Sequence, residues 1–155
     1  MQGKARPFAT HKTGRDGKVL RLVPSPSTGV HHLAIQVSDL ARVEAFYSDV
    51  LGLSILKRWD DDQGAPRSVW LSLGGEPTMF LALERCDGTA PSPPFRSPAP
   101  GLHLLALRIT PDDRARWETH LVAHGVLVVH RSAFTLYVQD PEGNRIGLSH
   151  HPEAF

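Results

Sequence analysis

Residues 29–38 read GVHHLAIQVS and residues 101–110 read GLHLLALRIT, and this repetition decides the fold. Two copies of one unit within a chain indicate an internally duplicated architecture. Each position in one half then has a counterpart in the other, so a chemical group that is present in one copy and missing from its twin stands out. His32 is such a group, because its twin is Leu104.

Each copy continues with the same order of elements. In the first, Ser38-Asp39 is a typical helix N-cap, and apolar side chains at helical spacing follow until Gly52. In the second, a helix is predicted over 112–124. The predicted strands are 30–37, 54–58, 68–73 and 79–85 in the first copy and 102–109, 126–130, 134–138 and 145–149 in the second. The sequence therefore predicts an α+β fold of two tandem β-α-β-β-β modules.

The beginning of the chain differs in composition from the rest. Six Lys or Arg and one Asp lie in residues 1–27, which leaves eleven basic (17 − 6) and fifteen acidic (16 − 1) side chains for the remainder. We expect residues 1–28 to be a basic flexible arm and linker, and 29–155 to be one domain, with module one at 29–90, a Pro-rich connector at 87–100 and module two at 101–150. The widely spaced cations, without interleaved aromatic residues, do not favour nucleic-acid binding.

The cysteine count and the motifs that are missing exclude several classes of protein. One cysteine, Cys86, cannot form an internal disulfide, and no apolar run of about 18 residues is present. We therefore expect a soluble, cytoplasmic protein with no membrane segment. The dinucleotide-binding, phosphate-loop and serine-hydrolase motifs are absent from the sequence.

Three motifs together resemble a known family. They are HLAIQVSDL at 32–40, FYSDVLGL at 46–53 and DPEGNRI at 140–146. With the two repeated modules, they are similar to the vicinal oxygen chelate superfamily, which contains glyoxalase I, bleomycin and fosfomycin resistance proteins, extradiol dioxygenases and methylmalonyl-CoA epimerase. The resemblance covers residues 29–150. It implies a homodimer, since two-module members commonly pair to complete their cavities.

These motifs are expected to be mostly structural. Phe46 and Tyr47 should pack the first helix on its sheet, and residues 140–144 should form a turn in which Asp140 and Asn144 make local hydrogen bonds. The motifs therefore indicate a fold more strongly than they indicate an activity.

Alternation along the strands separates an apolar face from a mixed one. The side chains at 33, 35 and 37 are apolar and should meet the helices, whereas His32 and Gln36 point the other way. Matching the remaining strands adds Trp70, Ser72, Ala82, Glu84, Leu104, Ala106, Arg108, Thr135, Tyr137, Gly147 and Ser149 to the mixed face. Apolar walls with a few polar groups are typical of a small-molecule pocket, so we expect curved mixed sheets around a cavity, with the helices outside.

The resemblance also implies where a metal would be held. Metal-dependent members place one ligand on the first strand and one on the last strand of each module, and the matching positions here are His32, Ala82, Leu104 and Gly147. Among these only His32 can bind a cation, whereas a divalent ion needs three or more donor atoms. The sequence predicts no metal site and no cofactor unless ligands from other positions are recruited, and the small residues should leave room at the vacant positions.

Two functions remain open. The first is a metal-independent small-molecule-binding protein, similar to the bleomycin-binding members. Its expected ligand contacts are Gln36, Trp70, Ser72, Arg108, Thr135 and Tyr137. Arg108 would bind an anionic group and Trp70 would stack on a planar part of the ligand. The second is a superfamily enzyme of lyase, isomerase or dioxygenase type, which would use His32 with Glu84 as an acid/base pair or metal ligands that the sequence does not place.

Overall fold

The computed structural model of the protein describes residues 27–76, 78–88 and 100–152. The predicted arm and most of the Pro-rich connector lie outside the described residues. The elements are β1 (His32–Val37), α1 (Leu40–Ala45), a π-helical turn (Phe46–Val50), β2 (Ile55–Asp60), β3 (Pro66–Gly74), β4 (Met79–Arg85), β5 (Leu105–Arg108), a 3-10 turn (Pro111–Asp113), α2 (Arg114–Ala123), β6 (His130–Arg131), β7 (Thr135–Gln139) and β8 (Arg145–Ser149).

The strands form two four-stranded sheets with the same topology. Sheet one has the order β1-β4-β3-β2 and sheet two the order β5-β8-β7-β6. In each sheet the first strand of the module runs parallel to the last, and the other pairs are antiparallel. The duplication in the sequence is thus a duplication of topology, and the predicted α+β fold of two β-α-β-β-β modules is confirmed. Within the described residues the two sheets stay open and do not close into a barrel.

The first helix begins as predicted but changes its winding. The Asp39 side chain accepts a hydrogen bond from a backbone N–H of the first turn at 3.0 Å, which is the expected N-cap. The helix then widens, because the N–H of Leu51 donates to the carbonyl of Phe46, five residues earlier, at 3.0 Å. The apolar spacing predicted a continuous α-helix here and gave no sign of this turn. Gly52 (φ 73°) and Gly125 (φ 70°) follow the two helices as predicted.

The strand expected at 126–130 is mostly absent and is reduced to β6, His130–Arg131. The N–H of Val126 donates to the carbonyl of Leu121 at 2.8 Å and so satisfies the C-terminal end of α2. The N–H of Val129 donates to Tyr137 at 2.8 Å, and ladder pairing starts only at the next residue. The end of the helix therefore uses residues that the sequence assigned to the strand.

A single cluster of buried apolar side chains contains residues of both modules. The largest of its fully buried members are Tyr47, Leu71, Leu81, Leu83, Leu121, Leu136, Ile146 and Leu148. Burial of each such side chain contributes about 1.5–3 kcal/mol. The strand members of this group alternate with the residues of the mixed face, as the sequence predicted. No helix in the described part of the chain has the length and apolar character needed to cross a membrane.

The turn between β7 and β8 in module two forms hydrogen bonds with residues on either side of α1 in module one. The Tyr47 hydroxyl donates to the Asp140 carboxylate at 3.0 Å, and the backbone N–H of Asn144 donates to the same carboxylate at 2.8 Å. The Glu142 carboxylate accepts from the N–H and the hydroxyl of Ser38 at 2.8 and 2.7 Å. We call these contacts the module latch. The motifs expected to be structural therefore also join the modules.

The contacts of the module latch shift the pKa values of Tyr47 and Glu142. Burial, reinforced by the Asp140 carboxylate, raises the pKa of the Tyr47 hydroxyl, so that this group remains a donor. The hydrogen bond from the Ser38 side chain holds the pKa of Glu142 below its ordinary value of 4.5. Both shifts favour the protonation states that the hydrogen bonds require.

Candidate functional site

The mixed face of sheet one collects all the site residues that the sequence assigned to module one. The strand register forms three rows across β1, β4 and β3, namely His32–Phe80–Ser72, Ala34–Ala82–Trp70 and Gln36–Glu84–Ser68. Directly paired residues point to the same side of a sheet. His32, Gln36, Trp70, Ser72 and Glu84 therefore share one face.

Aromatic rings cross this face as a diagonal ladder. The His32 and Phe80 rings are stacked with centroids 4.9 Å apart, and Phe80 stacks on Trp70 at 4.4 Å. Trp70 contacts Trp59 at 5.3 Å, and the Lys57 ammonium lies 3.5 Å from the centre of a Trp59 ring. We call His32, Phe80, Trp70 and Trp59 the ring ladder. Contacts of this kind contribute about 0.5–1.5 kcal/mol each beyond area burial, and here they create a continuous aromatic surface.

Polar groups occupy one end of the same face. The Ser68 hydroxyl donates to the Glu84 carboxylate at 2.6 Å, and the Arg67 guanidinium lies 4.0 Å from that carboxylate. The indole nitrogens of Trp59 and Trp70 are buried and have no hydrogen-bond partner among the described residues. An unpaired buried donor costs about 1–3 kcal/mol. The face therefore offers one carboxylate, whereas the two indole N–H groups are enclosed by protein atoms.

His32 and Glu84 are too far apart to act on one atom. His32 pairs with Phe80, and Glu84 lies four residues further along β4, which is about 13 Å at the rise of a β-strand. An acid/base group must lie within about 3 Å of the proton that it transfers. Nδ1 of His32 instead lies 2.8 Å from Nδ1 of His31. An acid/base role for His32 and Glu84 would therefore require the two groups to act on different atoms of one substrate.

The positions that resemble a family metal site do not fit a divalent ion. A Cβ atom at Gly147 would lie 3.0 Å from Cγ2 of Thr135 and 3.2 Å from Cδ1 of Leu104, so the space in front of this glycine is filled. Ala82 is 3 % exposed. The expectation that these small residues leave room is wrong. Nowhere in residues 27–76, 78–88 and 100–152 do three His, Cys, Asp or Glu side chains gather as ion ligands.

The other predicted site residues lie on the mixed face of sheet two. Arg108 pairs with Ser149, which pairs with Thr135, and the Thr135 hydroxyl donates to the Ser149 hydroxyl at 2.9 Å. Tyr137 lies on the same face, where the Arg145 guanidinium is 4.1 Å from its ring centre. The predicted residues thus form two sets, one on each sheet.

Sequence reasoning missed three residues of this face. They are Phe80 and Trp59, which belong to the ring ladder, and Lys57, which lies against Trp59. Phe80 lies two residues before Ala82 on β4, so simple alternation could have found it. Trp59 and Lys57 lie on the edge strand β2, whose pairing with β3 contains irregularities in register. No sequence pattern reveals such shifts, and these two residues therefore needed the structure.

Comparison with known proteins supports the fold. The family model described as Glyoxalase/Bleomycin resistance protein/Dioxygenase superfamily matches residues 29–148. A glyoxalase/dioxygenase from Nostoc punctiforme is 22% identical, with a TM-score of 0.68, and the alignment covers 86% of this chain and 99% of that one. A lactoylglutathione lyase from Agrobacterium tumefaciens is 25% identical, with a TM-score of 0.56, over 81% of this chain and 95% of that one.

A mutant of the fosfomycin resistance protein FosX from Listeria monocytogenes, complexed with Mn(II) and 1S,2S-dihydroxypropylphosphonic acid, is also similar. It is 15% identical, with a TM-score of 0.65, over 83% of this chain and 96% of that one. At this identity the likeness shows the fold alone. The family match over most of the described residues and the two β-α-β-β-β modules show that the chain belongs to the Glyoxalase/Bleomycin resistance protein/Dioxygenase superfamily.

Proposed function

We propose that this protein binds a small planar molecule on the mixed face of sheet one, without a metal ion. The observation that carries the proposal is the ring ladder, in which stacked contacts of 4.9 and 4.4 Å join three rings across the sheet. Small-molecule sites combine aromatic walls with a few polar groups, and this face has both. A planar ligand would extend the stack.

The contacts at the four positions that match the family's metal ligands support binding without a metal. His32 uses its ring face to stack on Phe80, and Leu104 with Thr135 fills the space in front of Gly147. One imidazole supplies fewer donor atoms than a stable divalent site needs. Binding by stacking and hydrogen bonds requires no further ligand.

The polar end of the face indicates the kind of substituent that the ligand would carry. Glu84 is a hydrogen-bond acceptor that faces the same side as the ladder, so it favours a ligand with an N–H or O–H group. The proposed ligand is therefore an aromatic molecule that carries a hydrogen-bond donor group.

We further propose a homodimer, in a reducing compartment such as the cytoplasm. β1 and β5 are edge strands, and His32, Ala34 and Gln36 are exposed on β1. Edge strands of this kind are normally covered. A second copy that covers them would bring Arg108 of sheet two towards the ligand. The single Cys86 is consistent with a reducing environment.

Titration with naphthalene sulfonate, a planar aromatic anion, tests the proposal in the full chain. Phe80→Ala and Trp70→Ala should each weaken its binding about 3- to 10-fold, the effect of losing a stacking contact. Phe134→Ala is the matched control, since Phe134 is 38% exposed and its ring contacts His150 and His151 rather than the ring ladder. EDTA should have no effect. Unchanged binding by Phe80→Ala, or loss of binding in EDTA, would contradict the proposal.

A further inference from the structure

A pair of histidines on α2, away from the ring ladder, has the features of a transition-metal site. His120 lies in the last turn of α2 and His124 is the C-cap residue that follows the helix, so the two are four residues apart at its C-terminal end. Their ring centroids are 4.2 Å apart. Two imidazoles at this spacing on a helix are a common arrangement for holding one ion.

Backbone carbonyls fix the tautomer of both rings. Nε2 of His120 lies 2.9 Å from the carbonyl oxygen of Val50, and Nδ1 of His124 lies 2.8 Å from the carbonyl oxygen of His120. Because a carbonyl oxygen only accepts, each of these nitrogens carries a hydrogen in the neutral ring. Nδ1 of His120 and Nε2 of His124 therefore keep their lone pairs. Metal-binding histidines usually donate their second N–H to such a carbonyl, which orients the ring.

The ring separation fits an ion shared by both imidazoles. At a nitrogen–metal distance of about 2.0–2.1 Å, an ion in the plane of a ring lies about 3.2 Å from its centroid. An ion that lay in the planes of both rings, which are tilted by 44°, would see centroids 4.2 Å apart at an angle of about 80°, close to the angle between neighbouring ligands in tetragonal or octahedral sites. Such geometry with imidazole ligands is typical of Cu²⁺ and Ni²⁺.

The surroundings admit a cation. His124 is exposed, and it lines a groove of about 620 Å³ between the modules together with Asp49. Arg116, which lines a neighbouring cavity with His120, is ion-paired with Asp113. The end of a helix also carries a partial negative charge that favours cations. No third protein ligand joins the pair within the described chain, so water would complete the coordination.

We propose that His120 and His124 bind one divalent transition-metal ion, with Cu²⁺ held most tightly and Ni²⁺ and Zn²⁺ less so. His120 belongs to module two and its hydrogen-bond partner Val50 to module one. A bound ion therefore orders the junction between the modules. It also gives the protein a metal-binding surface that is unrelated to its mixed faces.

Calorimetric titration of the full chain with Cu²⁺, combined with electron paramagnetic resonance, tests this site. Loss of an orienting partner already costs about 10–100-fold in metal affinity, so loss of a ligand in His124→Gln should weaken binding more than about 100-fold and remove the nitrogen hyperfine pattern. His120→Gln should do the same. Because Cu²⁺ would bind the folded chain, it should raise the melting temperature of the wild type, and this rise should disappear in both variants.

Two further variants serve as matched controls. His130→Gln and His151→Gln each remove an exposed imidazole elsewhere and should leave Cu²⁺ affinity unchanged. Wild-type affinity in His124→Gln, or loss of binding in either control, would overturn the proposal. Neither result depends on whether a planar molecule binds the ring ladder.

Discussion

The imidazole of His32 lies flat against the phenyl ring of Phe80, with the two ring planes 7° from parallel. His32 is the one cation-binding side chain among the four positions that resemble a metal site, and here it forms the end of an aromatic stack. Its counterpart in module two, Leu104, packs against Gly147. At these equivalent places, module one thus has an aromatic contact and module two an apolar one.

The packing at Gly147 can be tested by adding one methyl group. Gly147→Ala should lower the free energy of unfolding by about 1–3 kcal/mol, because the new Cβ would lie 3.0 Å from Cγ2 of Thr135. Gly88→Ala is the control, since a Cβ there would meet no atom within 4 Å, and it should change stability by less than about 0.5 kcal/mol. Urea unfolding measures both.

A second substitution identifies the contact responsible. Thr135→Ser removes Cγ2 but keeps the hydroxyl that bonds to Ser149, so it should recover part of the stability lost in Gly147→Ala. If Gly147→Ala and Gly88→Ala are equally stable, the space at Gly147 is open and our account of this position is wrong.

The hydroxyl of Tyr47 should contribute measurably to joining the modules. Tyr47→Phe removes its bond to the Asp140 carboxylate and should lower the free energy of unfolding by about 1.5–3 kcal/mol, the range for hydrogen bonds to charged groups. Tyr137→Phe is the control, because the Tyr137 ring contacts His130 and the Arg145 guanidinium, and phenylalanine keeps that ring. Equal stability of the two variants in thermal unfolding would show that the Tyr47 bond contributes nothing.

The Glu142 contact should make stability depend on pH. Its pKa is held below 4.5 by the hydrogen bond from Ser38, so the stabilisation is present above the ordinary pKa and is lost as the pH falls through the lowered value. Glu142→Gln should therefore be less stable than wild type near neutral pH, and the difference should shrink under acid. Urea unfolding over a pH series measures this.

The corresponding turn of module one provides a control for that experiment. Glu76 is exposed in the turn before β4, and Glu76→Gln should track the wild type at every pH. A difference between wild type and Glu142→Gln that stays constant from neutral to acid pH would contradict a role for the Glu142 charge.

Local elements could be predicted well from the sequence. β4 and β8 have the predicted bounds, and α1 begins after the predicted cap Asp39. Period-two alternation also assigned Trp70 and Glu84 to the face that carries His32. These features depend on residues that are close together along the chain, and they can therefore be predicted from a single sequence.

Long-range register could not be predicted. The pairing of His32 with Phe80 joins strands far apart in the chain, and it alone places Glu84 about 13 Å from His32. The filled space at Gly147 likewise depends on where the Leu104 side chain packs, which residue size alone does not reveal. The site was therefore predicted as a set of residues on two faces, but not as a geometry.

The most direct test of whether the mixed faces hold a metal ion is elemental analysis of a double variant. His120→Gln combined with His124→Gln removes the surface pair, and the purified protein is then incubated with Mn²⁺, Fe²⁺, Ni²⁺ or Zn²⁺ and desalted. We expect well under one equivalent of each ion per chain, unchanged by a further His32→Gln substitution, because one imidazole cannot hold such an ion. A full equivalent that disappears with His32→Gln would contradict the metal-independent function.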